Sequence, residues 1–208
     1  MIRYPDELPK AVAAVEFLRH RLAAAHHLAL VGIYRSWPKV SSLDASPELL
    51  AYPPAAVAPE LQPHYWRALG FWAGWHWFDT ERSLSALNAH LHVFVPRLDL
   101  SVQRAFLQGI GELLFFHLSN SPWFAPVELE RFPQAYHQGL LEGWGMAQGE
   151  EELYFPFPWK GPESPFWTSW TKGLSARSVA SIQRGKAQFD ALFEGPAPGA
   201  LEPSHQAP

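Results

Sequence analysis

Apolar residues recur at helical spacing over most of this chain, and prolines punctuate it where they do not. Val12, Val15, Leu18, Leu22 and His26 share one helical face, behind a start marked by Asp6, Glu7 and Pro9. They predict a helix running to about Tyr34. Residues 36–63 are rich in proline and turn residues and read as a long loop. Helical periodicity returns from Gln62 to Phe78. It is expected again from Thr80, as cap, to Val95, where Pro96 closes it, and from Val102 to Leu118, capped by Ser101 or Asp99. Ser121-Pro122 opens a short helix through Phe132, and Pro133 another to about Leu153. Residues 154–170 hold too many prolines for a helix and read as an aromatic strap. A last helix fits Ala176 to Phe193, capped by Ser175 and stopped by Gly195 and Pro196. The one strand-like alternation, Leu91 to Val95, fits a helix as well. The expected fold is all-α: a single repeat-like domain over residues 1–195 with six to seven helices and the strap, and a disordered tail over 196–208.

Three of these helices carry a similar core. Phe71 precedes Gly74, Phe106 precedes Gly109, and Leu140 precedes Gly143, each by three residues. The glycines are spaced by 35 and 34 residues, with Gly32 and Gly185 as looser outer members. Such a period suits helical repeats. A glycine inside a helix costs about 1 kcal/mol relative to alanine, so each needs a compensating gain. That gain is close approach, either by another helix or by a flat apolar ligand in a glycine-lined cavity.

Trp66, Leu69 and Gly70 fit a fragment of the tetratricopeptide pattern, which the later helices do not repeat. The run from Arg104 through Phe106, Gly109 and Gly111, then Phe115 or Phe116, Phe132-Pro133, Leu140, Gly143, Gly145 and Ala147, resembles an uncharacterised glycine-rich bacterial family found in enediyne polyketide biosynthesis clusters. The resemblance covers about a fifth of the chain and brings no catalytic residue with it. It implies a helical repeat fold and a role near hydrophobic metabolites.

Composition changes the picture in one respect. Charged residues make up 17% of the 208 residues and aromatic residues 14%. A chain so short of ions and rich in rings is expected to leave some rings exposed, and exposed apolar surface serves a ligand or partner. The net charge of −4 disfavours nucleic-acid binding driven by global charge. The lack of cysteine removes disulfides, thiolate catalysis and thiolate metal sites. The longest apolar run, Ala68 to Phe78, is interrupted by His76 and falls short of a membrane span, so a cytoplasmic location without membrane insertion is expected.

No Walker loop, HExxH, EF-hand or nucleophile elbow is present, and the Gly-x-Gly pairs at 109/111 and 143/145 lack the context of a phosphate loop. No metal site and no cofactor are assigned. Ten histidines offer loose pairs with acids, His20 with Glu16 and His76 with Asp79 among them. His76, between Trp75 and Trp77, is the histidine whose burial would demand a partner. Glu112 and Glu142 flank the glycines; solvent is their expected surrounding, and a cavity wall that raises their pKa is the alternative. His76, Gly109, Glu112, Gly143 and Trp144 are therefore the candidate ligand-binding residues, and Phe155, Trp159, Trp167 and Trp170 a candidate interaction strap. Lys160, Lys172, Arg177, Arg184 and Lys186 form a basic neighbourhood suited to an anion or a stacked nucleic-acid strand. The expected function is a non-catalytic interaction or apolar small-molecule-binding protein, with a homo-oligomer or protein partner plausible on the same grounds. An enzyme that uses a His–carboxylate pair on a hydrophobic metabolite, and a nucleic-acid accessory protein, are the alternatives.

Overall fold

The computed structural model describes residues 62–81, 83–119, 126–154 and 171–191. The expected helix before Tyr34, the loop of 36–63, the strap and the tail lie outside them. The described residues are all-α. Their elements are α1 (Gln62–Glu81), α2 (Leu84–Phe94) with a 3-10 turn at Val95–Arg97, α3 (Leu100–Leu118), a 3-10 helix at Pro126–Arg131, α4 (Gln134–Tyr154) and α5 (Ala176–Asp190).

Local chemistry explains the boundaries. Ser83, not Thr80, caps α2, with its Oγ accepting from the Ala86 N–H at 3.3 Å. Ser175 caps α5 as its sequence predicts, accepting from the Ser178 N–H at 3.2 Å. Asp99 stands at the N-cap of α3 without a side-chain cap bond. The short helix expected from Ser121 is, over its described part, the 3-10 helix from Pro126.

α1, α3, α4 and α5 lie side by side in that order, each against the next. Their contacts advance in the same direction along both partners. Gly74 meets Ile110 and Leu113, and Trp75 meets His117. Gly139 meets Leu107, and Trp144 meets Phe115. Gly145 meets Ile182, and Gly149 meets Phe189. The four long helices are therefore parallel. A helix of 19 residues is about 28 Å long, and the chain must travel that distance back before starting the next. The 15 residues between α3 and α4 reach about 50 Å when extended, whereas antiparallel neighbours manage with about 2–8. The return after α1 contains α2.

Each of the three crossings is made by one glycine from each helix. A Cβ at Gly70 would stand 1.9 Å from the Phe106 carbonyl oxygen, and one at Gly109 would stand 1.8 Å from that of Arg67. Gly111 stands the same way on Leu140 (1.9 Å) and Gly143 on Gln108 (1.8 Å). Gly145 stands on Ile182 (2.0 Å) and Gly185 on Glu142 (1.9 Å). In every case the carbonyl belongs to the residue three before the opposing glycine. Two positions apart is about 200° around a helix, so Gly109 and Gly111 face opposite neighbours, as do Gly143 and Gly145. The equivalent glycines are thus Gly109, Gly143 and Gly185 on one flank, and Gly70, Gly111 and Gly145 on the other. Gly74, counted with Gly109 and Gly143 by its spacing, meets the Leu113 and Ile110 side chains first; on α1 the crossing glycine is Gly70, which matches Gly111 and Gly145, and the place of Gly109 and Gly143 falls on Ala68.

Backbone fills the flanks, so side chains are driven to the two faces of the layer. Residues one after the first glycine, Ile110 and Trp144, are buried on one face, where Phe94 of α2 covers Phe106 at 5.0 Å between centroids. The opposite face carries the residues one before, Gln108, Glu142 and Arg184, and on α1 Arg67, one before Ala68.

Gly143→Ala would put its methyl into the Gln108 backbone, which cannot yield without separating α3 from α4. The expected loss is about 3 kcal/mol or more despite alanine's better helix propensity. Gly149→Ala meets only the Phe189 ring, 2.8 Å away, and should cost less. Urea midpoints of the two variants check the order.

Candidate functional site

Of the polar residues on that face, Gln108 and Arg184 converge on Glu142. Its side chain is fully buried. Arg104 on α3 reaches it with two parallel bonds, Nε to Oε2 at 2.7 Å and Nη2 to Oε1 at 2.6 Å. Gln108 Nε2 donates at 3.1 Å, Gln138 Nε2 at 3.1 Å, and Arg184 Nε from α5 at 3.3 Å. One carboxylate thus ties three helices together. Burial alone would raise its pKa, but the bonds from Arg104, Gln138 and Gln108, with the Arg104 charge, outweigh burial and hold the carboxyl below the ordinary value. Glu142 has a full set of donors and stays ionised, so it is suited to holding helices and unsuited to general acid chemistry at neutral pH.

Glu112 is the second buried carboxylate, and its partner is Arg67, also buried, across the α1–α3 crossing. Solvent was the expected surrounding of both glutamates, with a cavity wall and raised pKa as the alternative. Both are instead buried against arginines, Glu112 against a buried one and Glu142 against two half-exposed ones, and Glu142 is held low. A third carboxylate, Glu130, accepts from the Ser178 hydroxyl and from the Ser175 N–H at 3.1 Å, fastening the 3-10 helix to the start of α5. The Ser178 bond is the main cause of its lowered pKa.

The other sequence candidates fall as follows. Gly109 and Gly143 present the side of a missing Cβ to backbone, so close helix contact accounts for both. Trp144 is buried with its ring against Phe115 at 5.2 Å. His76 is half-buried on α1, and the Asp79 side chain lies outside the described residues, as do Phe155, Trp159, Trp167, Trp170, Lys160 and the His20–Glu16 pair. Among the described candidates, Gly109 faces α1, Gly143 faces α3 and Trp144 lies against Phe115. Of the basic neighbourhood, Arg184 is drawn to Glu142 and Lys186 to Asp190 at 2.8 Å, while Lys172 and Arg177 are exposed. Among the described residues no group of three or more His, Asp or Glu side chains is placed to hold a metal ion, and no helix is long and apolar enough to cross a membrane.

The feature that single-residue reasoning missed is a surface cluster of rings near the C-terminal ends of α1 and α3. Trp75 and Phe116 are 42% and 40% exposed. Trp72 lies 6.3 Å from Trp75, His117 lies 4.8 Å from Trp75 edge-on, and Phe71 backs Phe116 at 6.3 Å. The low share of ions beside a high share of rings was the signal for such a surface. It named no residues, because periodicity does not say which side of a ring-lined helix is covered.

Comparison with protein-family models, curated proteins and solved structures finds no match for this chain.

Glu142→Gln should cost about 2–3 kcal/mol, less than a sealed pair because both arginines are half-exposed. A carboxyl lowered in the fold adds stability above its unfolded pKa, near 4.5, and loses it as pH falls through the lower folded value. The wild type should therefore lose stability below about pH 4.5 more steeply than the glutamine variant, as urea melts at pH 3–7 would show. At the α1–α3 crossing, Arg67→Met takes the buried arginine from Glu112 and should cost about 3–5 kcal/mol. Adding Glu112→Leu should restore part of that, and a double variant no better than the single one contradicts the buried ion pair.

Proposed function

We propose that this protein is a non-catalytic binding module whose working surface is the aromatic cluster of Trp72, Trp75, Phe116 and His117, and whose partner is apolar. The observation that carries this reading is the exposure of Trp75 and Phe116 on adjacent helices, within one set of ring contacts that runs through Trp72, Phe71 and His117. Large rings on backbone-locked helices lose little conformational freedom on binding, and Trp in particular dominates binding hot spots. An apolar small molecule or the apolar patch of a protein fits the surface, and a role near hydrophobic metabolites is also what the family resemblance implies. The buried carboxylates support the reading from the other side: each is engaged in holding helices together, so the polar groups at the heart of the layer serve the scaffold.

The test compares wild type with Trp75→Ser/Phe116→Ser, using 1-anilinonaphthalene-8-sulfonate as an apolar probe. Wild type should bind the dye with energy transfer from tryptophan, and the double variant should lose at least about tenfold in affinity with its circular dichroism unchanged. Native mass spectrometry of wild type should show a retained apolar molecule or a bound protein chain that the variant lacks. Equal dye binding by both proteins, with nothing retained by either, would overturn the reading.

A further inference from the structure

Glu142 is the floor of a basic patch as well as a tie between helices. Arg104 Nη2 and Arg184 Nε reach the same oxygen, Oε1, at 2.6 and 3.3 Å, so the two guanidiniums flank one carboxylate. That carboxylate is buried, but the arginine side chains on it are 50% and 47% exposed. Arg104 gives Nε and Nη2 to Glu142, while Arg184 gives Nε to it and Nη2 to the Ser181 hydroxyl at 2.8 Å. Nη1 of each bonds nothing among the described residues. Arg177 stands seven residues before Arg184, two turns away on the same face of α5. Arg184 leans back toward it, because Ser181, which Arg184 Nη2 holds, donates in turn to the Arg177 carbonyl at 3.1 Å. Arg177 is exposed, and its guanidinium meets no carboxylate among the described residues. The other acids are engaged or distant. Glu130 is bonded by Ser175 and Ser178, Glu112 is paired with Arg67, and Asp190 with Lys186. The acids at the end of α4 begin at Glu150, more than two turns beyond Glu142. Three guanidiniums against one ionised carboxylate leave a local charge of +2, on a chain whose net charge is −4.

We propose that Arg104, Arg177 and Arg184 form a binding site for a phosphate group with two negative charges, either the inorganic ion or a monoester. A guanidinium presents paired N–H donors that match phosphate oxygens. A terminal phosphate carries about −2 at neutral pH, which balances the patch, whereas a carboxylate leaves half of it uncancelled. Glu142 sets the arrangement in advance. It draws Arg104 from α3 and Arg184 from α5 to one place, so two of the three arginines lose little freedom when the ligand arrives. The site is separate from the ring cluster, since Arg104 precedes Phe116 by twelve residues, about 18 Å along α3. It also gives a use to Arg177 and Arg184, two members of the basic neighbourhood marked in the sequence.

The test titrates inorganic phosphate into the full chain at neutral pH and constant ionic strength, with chloride as the balancing ion, and follows the arginine Nε–H resonances by NMR. Those of Arg104, Arg177 and Arg184, assigned by single substitutions, should move and saturate with a Kd of about 1 mM or tighter. That of Arg131, paired with Glu128 outside the site, should stay in place. Arg177 is exposed and bonds no carboxylate, so Arg177→Ala should keep the circular dichroism of wild type while weakening phosphate at least about tenfold. Arg177→Lys should recover part of the loss. Shifts that rise without saturating, Arg131 moving as far as the other three, or an unchanged Kd in Arg177→Ala would overturn the proposal. Phenyl phosphate should move the same three resonances; binding tighter than the free ion names a monoester as the ligand, and weaker binding names the ion. Oligothymidylate carries one charge per phosphate. If it binds the patch and inorganic phosphate does not, the site belongs to a nucleic-acid strand and the proposal fails. The dye-binding test of the ring cluster does not depend on this result.

Discussion

The contact between a glycine Cα and a carbonyl oxygen of the neighbouring helix is the constraint from which the other features of this layer follow. It occurs six times, twice at each crossing, and always with the carbonyl three residues before the opposing glycine. Each contact places a Cα–H against a carbonyl, an interaction worth about 0.5–1 kcal/mol. Its larger effect is geometric. With no side chains between the helices at the crossing points, the flanks of α3 and α4 are closed there by backbone on both sides. Their side chains have only the two faces of the layer to occupy, and nearly every residue from Ala105 to Phe115 and from Gly139 to Gly149 is buried. A polar residue in such a helix must carry its partners with it. Arg67 with Glu112, and Arg104 and Arg184 with Glu142, are the result.

Parallel order has a second consequence. Close crossing fixes where two helices touch, but it places no limit on how the chain returns between them. The equivalent glycines Gly109, Gly143 and Gly185 are spaced by 34 and then 42 residues, and Gly70, Gly111 and Gly145 by 41 and then 34. The crossings match in geometry while the spacing varies, because the difference is taken up in the returns. One return contains α2, which covers the apolar face; another is partly a 3-10 helix, fastened to α5 through Glu130.

This separation of crossing from return explains what could be read from the sequence. The spans of α1, α3, α4 and α5 follow from periodicity and turn residues, and the Ser175 cap follows from local chemistry, because neither depends on distant partners. The repeat was visible as spaced glycines, but counting a constant 34–35 residues selected Gly74, whose Cβ position meets Leu113 and Ile110 side chains, over Gly70, which meets backbone. Place in the crossing is conserved along this chain, and spacing is not. The glutamates were misjudged for a related reason. A helix buried all round has no polar side to contrast with an apolar one, so its sequence does not mark Glu112 or Glu142 as internal. The clue lay across helices, in the ladder of Arg67, Gln108 and Glu142, each three residues before the glycine that faces the next helix, with Arg184 one before Gly185. The ring cluster was legible only as a compositional excess.

The same register shows where the layer stops repeating. Seven residues after Ala68, Gly109 and Gly143 stand Trp75, Phe116 and Glu150, one geometric position on three successive helices. The crossing dictates nothing about the chemistry there, since the position lies two turns beyond the contact. It changes from ring to ring to carboxylate along the layer, and the two rings are the exposed ones. A scaffold position that must be small is occupied by glycine or alanine each time. A position free to vary, but occupied by two adjacent large rings at a cost in exposed apolar surface, needs a reason outside the fold, and an apolar partner supplies one.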